Sequence, residues 1–181
     1  MNKKVVIGGT AVLLAGIGIY KYLNSQKELR EIWTTADMPD LTGKVIIVTG
    51  ANSGIGYEAA KEFARKGART IMACRSMEKA EAALAVLKTE IPDAPVAIMK
   101  LDLASQASVH KFTEAFKAEY DRLDVLVNNA GIMWSPYTVT EDGFESHFAT
   151  NHLSHFALTG LLIDLLLNTP GSRVVNVSSS A

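Results

Sequence analysis

Thr49-Gly50-Ala51-Asn52-Ser53-Gly54-Ile55-Gly56 directly follows the apolar run Val45-Ile46-Ile47-Val48. A buried strand followed by a glycine-rich turn and a helix is typical of a pyrophosphate-binding site, because glycines let the backbone approach the phosphates closely. The helix adds unpaired N–H groups and the positive end of its dipole. A tight turn without a ligand is the alternative, but it does not require three glycines and a threonine. The octet therefore predicts a dinucleotide-binding turn.

Within the octet, each residue type suits a different task. Thr49 is expected to brace the turn, and Ser53, Ile55 and Gly56 to line the phosphates. The remaining candidates for contact with the dinucleotide are Gly50, Asn52 and Gly54.

Composition limits the classes of protein that the chain can belong to. It has 181 residues, of which 48% are apolar, and a formal net charge of −1, which favours a folded domain over disorder. No basic stripe is present, so nucleic acid is not an expected partner. The single cysteine, Cys74, cannot form an internal disulfide.

The first 23 residues differ from the rest. Residues 5–20 carry no charge, and Lys3, Lys4 and Lys21 flank them. As a helix, this run would span roughly 24 Å, a little less than a hydrocarbon core of about 30 Å. We expect a single-pass membrane anchor over residues 1–23, a polar linker over 24–40 and the main domain over 41–181. A cleaved signal peptide and a soluble segment are the alternatives, and flanking charges do not decide the orientation.

From residue 41 onward, strand patterns alternate with helix patterns. This alternation implies parallel strands joined by right-handed crossovers, and apolar runs with little alternation suit strands covered on both faces. The prediction is an α/β fold with a Rossmann-type, doubly wound parallel sheet of five strands. The predicted strands are 44–49, 70–74, 96–101, 125–128 and 173–177, and the predicted helices are 57–66, 77–90, 105–120 and 144–167.

Several motifs in order resemble the short-chain dehydrogenase/reductase family. They are the octet, Asn128-Asn129-Ala130-Gly131, Asn151, and Val174-Val175-Asn176-Val177-Ser178-Ser179. Asn151-His152-Leu153-Ser154-His155-Phe156 and Ala73-Cys74-Arg75 most resemble its membrane-bound retinol dehydrogenase branch. The resemblance implies hydride transfer between a nicotinamide and a lipophilic alcohol or carbonyl, such as a retinoid, a steroid or another lipid aldehyde.

The second predicted strand ends at a position that discriminates between cofactors. An acid about twenty residues beyond the glycine turn would bind the ribose hydroxyls and favour NAD. Arg75 stands there instead, and it could pair with a 2′-phosphate. We therefore expect NADP(H) rather than NAD(H), with a solvated surface arginine as the alternative.

The resemblance implies that residues after the third and fourth predicted strands also contact the cofactor. The resemblance places Asp102 and Leu103 near the adenine, although Asp102 also suits a simple helix entry. It also implies that Asn128 braces the central strands, that Ala130 and Gly131 let the cofactor ribose approach, and that Asn129 binds the cofactor.

The predicted catalytic residues are Asn151 and Ser179. An asparagine inside a helix is unfavourable unless its amide is used, and the resemblance implies that Asn151 anchors a water in a proton relay. A satisfied buried polar residue is the alternative. The resemblance makes Ser179 the serine that bonds the substrate oxygen. His147, His152 and His155 share the predicted helix, but we expect no metal site, because no third ligand is evident.

The family also places a Tyr-x-x-x-Lys pair downstream of the serine, and residues 1–181 do not contain it there. Tyr57 and Lys61 have the spacing, but they follow the phosphate turn. We expect a C-terminally incomplete enzyme that is inactive as it stands. A membrane-tethered, non-catalytic dinucleotide-binding or regulatory truncated isoform is the alternative. The endoplasmic reticulum is the expected membrane and the mitochondrion the alternative. The sequence leaves the oligomeric state open, with a homo-oligomer as one option.

Overall fold

The computed structural model describes residues 33–179, and the chain divides into two compact units, residues 1–38 and 39–181. In the first unit, the described residues contain one 3₁₀ turn, Thr35–Asp37. The Asp37 carboxylate accepts hydrogen bonds from the backbone N–H and the hydroxyl of Thr34, at 2.8 and 3.0 Å. The predicted anchor and most of the predicted linker lie outside the described residues. Among residues 33–179, no helix has the length and apolar character that crossing a bilayer requires.

The second unit is built around one parallel sheet. Its strands are β1 (Val45–Thr49), β2 (Arg69–Cys74), β3 (Val96–Lys100), β4 (Val125–Asn128) and β5 (Arg173–Asn176). Every pairing is parallel, and the strand order is β3-β2-β1-β4-β5. This confirms the predicted parallel Rossmann-like α/β sheet.

Helices cover both faces of this sheet. They are α1 (Gly54–Arg65), α2 (Met77–Glu90), α3 (Gln106–Glu119), α4 (Ser146–Phe148), α5 (Ser154–Leu161) and α6 (Ile163–Asn168). Successive strand residues point to opposite faces, so Ile47 packs with Phe112 and Leu158 in one core, and Ile46 packs with Ala60 in the other. All five residues of β1 are buried, as a strand covered on both faces requires.

The predicted helix over 77–90 is confirmed, and the one over 105–120 is one residue too long at each end, whereas the other two helix predictions differ more. Helix α1 begins at Gly54, three residues before the predicted start, because Ser53 is the N-cap and the last two glycines of the octet already form the first helical turn. Strand ends differ from the prediction by one residue at most.

The predicted continuous helix over 144–167 is wrong. It is divided into α4, a π-helical turn at Ala149–Leu153, α5 and α6. In the π turn the N–H of Ser154 bonds to the carbonyl of Ala149, so the turn accommodates one more residue than an α-helical turn. The second break is at Leu162, with φ −100° and ψ 2°, where the N–H is shared between the carbonyls of Leu158 and Thr159.

A buried carboxylate joins the amino ends of the neighbouring strands β1 and β4. Asp124 accepts hydrogen bonds from the backbone N–H of Val45 at 2.9 Å, from Lys44 Nζ at 3.1 Å, and from Arg122 Nε and Nη2 at 2.9 and 2.7 Å. Burial opposes the charge, but the hydrogen bonds from Arg122, Val45 and Lys44 outweigh it and hold the pKa of Asp124 below its usual value. The carboxylate therefore stabilises the fold while it is ionised.

Replacing Asp124 tests this clamp. Asp124→Asn should lower the free energy of unfolding at neutral pH by about 2 kcal/mol, the scale of hydrogen bonds to charged groups. The pKa of Asp124 is lowered in the folded state. The difference in unfolding free energy between the variant and the unaltered chain should therefore narrow as the pH falls below about 4. Urea unfolding over this pH range measures both effects. The exposed Asp93 provides the control Asp93→Asn, and an equal loss in both variants would contradict the clamp.

Candidate functional site

A crevice lies at the carboxyl edge of the sheet, between β1 and β4. The strand order reverses at this point, and in open α/β sheets ligands bind where it does so. The crevice encloses about 310 Å³ and is lined by Gly50, Asn52, Ser53, Ile55, Gly56, Asn129, Ala130 and Gly131. The structure thus brings two motifs that are far apart in the sequence to one cavity.

The glycines of the octet permit close backbone contact. Gly50 has φ +66°, and a Cβ added to it would lie 2.9 Å from the Cβ of Ala130. A Cβ added to Gly56 would overlap Asn129 Nδ2 and lie 2.7 Å from the carbonyl oxygen of Gly50. Side chains at these positions would therefore separate the two loops that form the crevice.

The first turn of α1 faces this crevice without a side-chain cap. The side chain of Ser53, its N-cap, makes no cap hydrogen bond, and the first turn contains no acid. By contrast, Ser76 and Ser105 cap α2 and α3 through their hydroxyls. The uncapped N–H groups and the helix dipole of α1 suit an anionic group, so the site fits the pyrophosphate of a dinucleotide.

The hydroxyl of Thr49 joins the two loops beneath the crevice. It accepts hydrogen bonds from the backbone N–H groups of Asn129 and Ala130, both at 2.9 Å. The Asn129 side chain returns a bond to the Thr49 carbonyl at 2.8 Å. Thr49 is fully buried, which agrees with a bracing residue rather than one in contact with a ligand.

Asn128 connects the neighbouring strand and helix. Its amide nitrogen donates to the Asn176 side chain at 2.9 Å and to the Thr159 hydroxyl at 3.2 Å. Asn128 therefore links β4 to the edge strand β5 and to α5, so it braces the sheet beside β1 rather than its centre.

Three predicted residues lie at the ends of β2 and β3. Arg75 is exposed and directly precedes Ser76, the N-cap of α2. No carboxylate in residues 33–179 forms an ion pair with it. Asp102 Oδ1 accepts the N–H of Ala104 at 3.0 Å, so this carboxylate has the helix-entry geometry, and its contact with adenine stays a prediction. Leu103 is buried.

Cys74 ends β2 beneath the glycine turn. Burial raises the pKa of its thiol to about 11, although the N–H groups of Ala51 and Asn52 favour the thiolate. Cys74 therefore has the environment of a structural cysteine rather than of a reactive one, whose thiol pKa is lowered.

Asn151 lies in the π turn, and its side chain holds a loop. Its Oδ1 accepts the N–H of Ile132 at 2.8 Å, and its Nδ2 donates to the Ile132 carbonyl at 2.9 Å. Asn151 is exposed, so it is not buried as the alternative supposed, but its amide is satisfied by Ile132. Its part in a proton relay stays a prediction. The amide holds the chain that follows Gly131 against the π turn.

A second cavity, of about 410 Å³, separates α5 from β5. Its lining includes Asn151, His155 and Ser178. Ser179, the predicted catalytic serine, is exposed and is not among the lining residues. The structure thus brings the serine run close to Asn151, while the contact of Ser179 with a substrate stays a prediction.

The three histidines of the predicted helix have separate environments. His147 Nδ1 lies 2.7 Å from the carboxylate of Glu145; the backbone N–H groups of His147 and Phe148 and the side chain of His147 hold the pKa of Glu145 at about 2. His152 is exposed, whereas His155 is buried with Nε2 3.0 Å from the Thr49 hydroxyl. In residues 33–179, no three side chains of metal-ligand type come together.

The contact between His155 and Thr49 was not predicted from the sequence. The two residues are 106 positions apart, and only the strand order brings them together. The recurrence of histidine at 152 and 155 did not indicate which ring is buried.

Known families and relatives agree with this geometry. The family model described as short chain dehydrogenase matches residues 44–181. The chain is 48% identical over 141 residues to retinol dehydrogenase 12 of Mus musculus, which covers 78% of this chain and 45% of the relative. Retinol dehydrogenase 11 of Homo sapiens is 50% identical, with 78% and 44% covered. The chain therefore spans less than half the length of these curated relatives.

Solved structures show the same fold. A protein of Mycobacterium paratuberculosis aligns with a TM-score of 0.72 at 47% identity, which covers 82% of this chain and 50% of that one. A short chain dehydrogenase of Escherichia coli CFT073, solved in complex with NADPH, aligns with a TM-score of 0.67 at 30% identity, with 78% and 61% covered.

Replacing a glycine in the crevice tests its close packing. Gly56→Ala should lower the free energy of unfolding by about 1–3 kcal/mol, since the methyl group would overlap Asn129 and Gly50. Gly160 in α5 has nothing within 4 Å of an added Cβ, so Gly160→Ala should stabilise the chain by about 0.5–1 kcal/mol. Thermal or urea unfolding gives both values. Equal effects of the two substitutions would contradict the packing described here.

Proposed function

Because the chain belongs to the short-chain dehydrogenase family, in the branch that resembles the retinol dehydrogenases, we propose that it takes part in NADP(H)-dependent oxidoreduction of a lipophilic alcohol or carbonyl. The observation that carries the proposal is the crevice at the strand-order reversal, which places the uncapped first turn of α1 opposite Asn129, Ala130 and Gly131. This arrangement suits a dinucleotide in both shape and charge.

In this proposal, the residues of the octet hold the pyrophosphate. The uncapped N–H groups of the first turn of α1 would bind its charge, and Asn52 and Ser53 line the same crevice. Thr49 acts from beneath by fixing the turn, and Ala130 and Gly131 lie where the cofactor ribose approaches. Asp102 and Leu103 are the proposed residues on the adenine side.

The preference for NADP(H) rests on Arg75. It has no ion-pair partner in residues 33–179, so its guanidinium is available for a phosphate, which it can bind with two parallel hydrogen bonds. A structural neighbour solved with NADPH supports the same cofactor.

The bound nicotinamide would supply or accept a hydride. We propose that the Ser179 hydroxyl bonds the substrate oxygen and stabilises the charge that develops there. Asn151, in the π turn next to Ile132, would anchor a water molecule of the proton relay. The tyrosine and lysine that the family uses for proton transfer are not among residues 1–181 at the implied position, so we expect these residues alone to bind cofactor without turnover.

A lipophilic substrate fits the loop after β4. Met133, Trp134 and Tyr137 are 67%, 90% and 77% exposed and lie within five residues of one another in the sequence. Exposed apolar patches mark binding surfaces, so we propose that this loop contacts the substrate. The names of the retinol dehydrogenase relatives support this substrate class. Membrane attachment through residues 1–23 and association with a second copy are proposed from the sequence pattern alone.

Cofactor titration of the full chain tests the preference for NADP(H). Arg75→Ala should weaken NADPH binding roughly tenfold to a hundredfold, the equivalent of a charge-assisted contact of about 1.5–3 kcal/mol. NADH affinity should change by about twofold or less, because NADH has no 2′-phosphate. Nucleotide fluorescence measures both dissociation constants.

The matched control is Lys88→Ala, which removes one exposed positive charge from the last turn of α2. It should leave both affinities unchanged. If Arg75→Ala weakens the binding of NADPH and of NADH equally, or changes neither affinity, the assignment of Arg75 to the 2′-phosphate is wrong.

A further inference from the structure

The hydroxyl of Thr49 has four polar neighbours and only three hydrogen-bonding positions. A hydroxyl has one proton and two lone pairs. The N–H groups of Asn129 and Ala130 occupy both lone pairs at 2.9 Å. The single proton must therefore go to one of the two remaining neighbours, the Val127 carbonyl at 3.4 Å or His155 Nε2 at 3.0 Å.

Distance decides between these two acceptors. O–H···O bonds in proteins lie at about 2.5–3.0 Å, so 3.4 Å to Val127 is too long for a good bond. The 3.0 Å separation from His155 Nε2 suits a hydrogen bond. The Thr49 proton therefore points at His155, and Nε2 must carry a free lone pair to accept it.

This constraint sets the protonation of the buried ring. If Nε2 carried a proton, it would face an oxygen whose lone pairs are both occupied, and one backbone N–H would lose its partner. A neutral imidazole with a bare Nε2 carries its proton on Nδ1. Nδ1 lies 3.4 Å from the carbonyl of Asn151, which allows a weak hydrogen bond only. Burial also lowers the pKa of His155, which keeps the ring neutral.

We infer that His155 is a positioning residue that works as the neutral Nδ1–H imidazole. Through Nε2 it orients the Thr49 hydroxyl that joins the glycine turn to the Asn129–Ala130 loop, and through Nδ1 it faces the backbone of Asn151. One ring thus connects the proposed phosphate end of the cofactor site to its proposed reactive end. The effect on cofactor binding rests on the proposed function, whereas the tautomer does not.

A buried histidine that only fills space would behave differently. It would show no preference for one tautomer set by Thr49, and any difference between Gln and Asn at its position would not depend on the Thr49 hydroxyl. Two measurements therefore separate positioning from packing.

The first measurement is the tautomer itself. In the full chain labelled with ¹⁵N-histidine, long-range proton–nitrogen spectra distinguish the Nδ1–H form, the Nε2–H form and the cation. The other histidines, His110, His147 and His152, are replaced one at a time by Gln, which assigns the His155 signal by elimination without altering it. A protonated Nδ1 with a bare Nε2 is expected at neutral pH. An Nε2–H ring or an imidazolium would overturn the inference.

The second measurement is the dissociation constant of NADPH in a pair of substitutions. The Gln amide extends to about the position of Nε2 and can accept the Thr49 proton, whereas the shorter Asn amide occupies the region of Nδ1. His155→Gln should bind NADPH within about threefold of the unaltered chain, and His155→Asn should bind at least tenfold more weakly, a difference of about 1.4 kcal/mol. The exposed His152 provides the control His152→Gln, expected to have no effect.

Removing the hydroxyl completes the test. In a Thr49→Val chain, the difference between the Gln and Asn variants should fall below about twofold, because neither has a Thr49 proton to accept. Equal affinities of the Gln and Asn variants in the unaltered background, or an equal difference in both backgrounds, would overturn the positioning role. If the unaltered chain does not bind NADPH, the proposed function fails, and the tautomer measurement still decides the protonation of His155.

Discussion

The hydroxyl of Thr49 is the contact on which the rest of the site depends. It accepts two backbone N–H groups from the loop after β4, and it stands immediately before the first glycine of the turn after β1. Two loops separated by some eighty residues are thereby held at the distance that forms the crevice. Because Thr49 is fully buried, water cannot replace these bonds.

The surrounding sheet places this contact where a ligand can use it. The strand order reverses between β1 and β4, so the helices that follow these strands lie on opposite faces and leave an opening at the carboxyl edge. Helix α1 presents its uncapped first turn to that opening, whereas α2 and α3 use serine caps. At the opposite end of the same strands, Asp124 joins the amino end of β1 to that of β4. Asp124 thus stabilises the amino ends of β1 and β4, while Thr49 fixes the crevice at their carboxyl ends.

The fold could be predicted from the sequence because its signals are local. The apolar run Val45–Val48 and the helical spacing around Phe112 specify elements without knowledge of their partners. The octet and the Asn128–Gly131 motif contain all the residues that line the crevice. Contacts between distant segments could not be predicted. Nothing in residues 144–167 indicated the π turn, whose Asn151 holds Ile132, and nothing local paired His155 with Thr49. Such contacts depend on the strand order, which periodicity does not encode.

The most direct test of the account is amide hydrogen exchange of the full chain with and without NADPH. The nucleotide should slow exchange in the first turn of α1 and in residues 129–131 after β4, because Ile55, Gly56 and residues 129–131 line one cavity. Exchange in β3, away from the strand-order reversal, should not change. Protection confined to other segments, or none at saturating nucleotide, would contradict the claim that this crevice holds a dinucleotide.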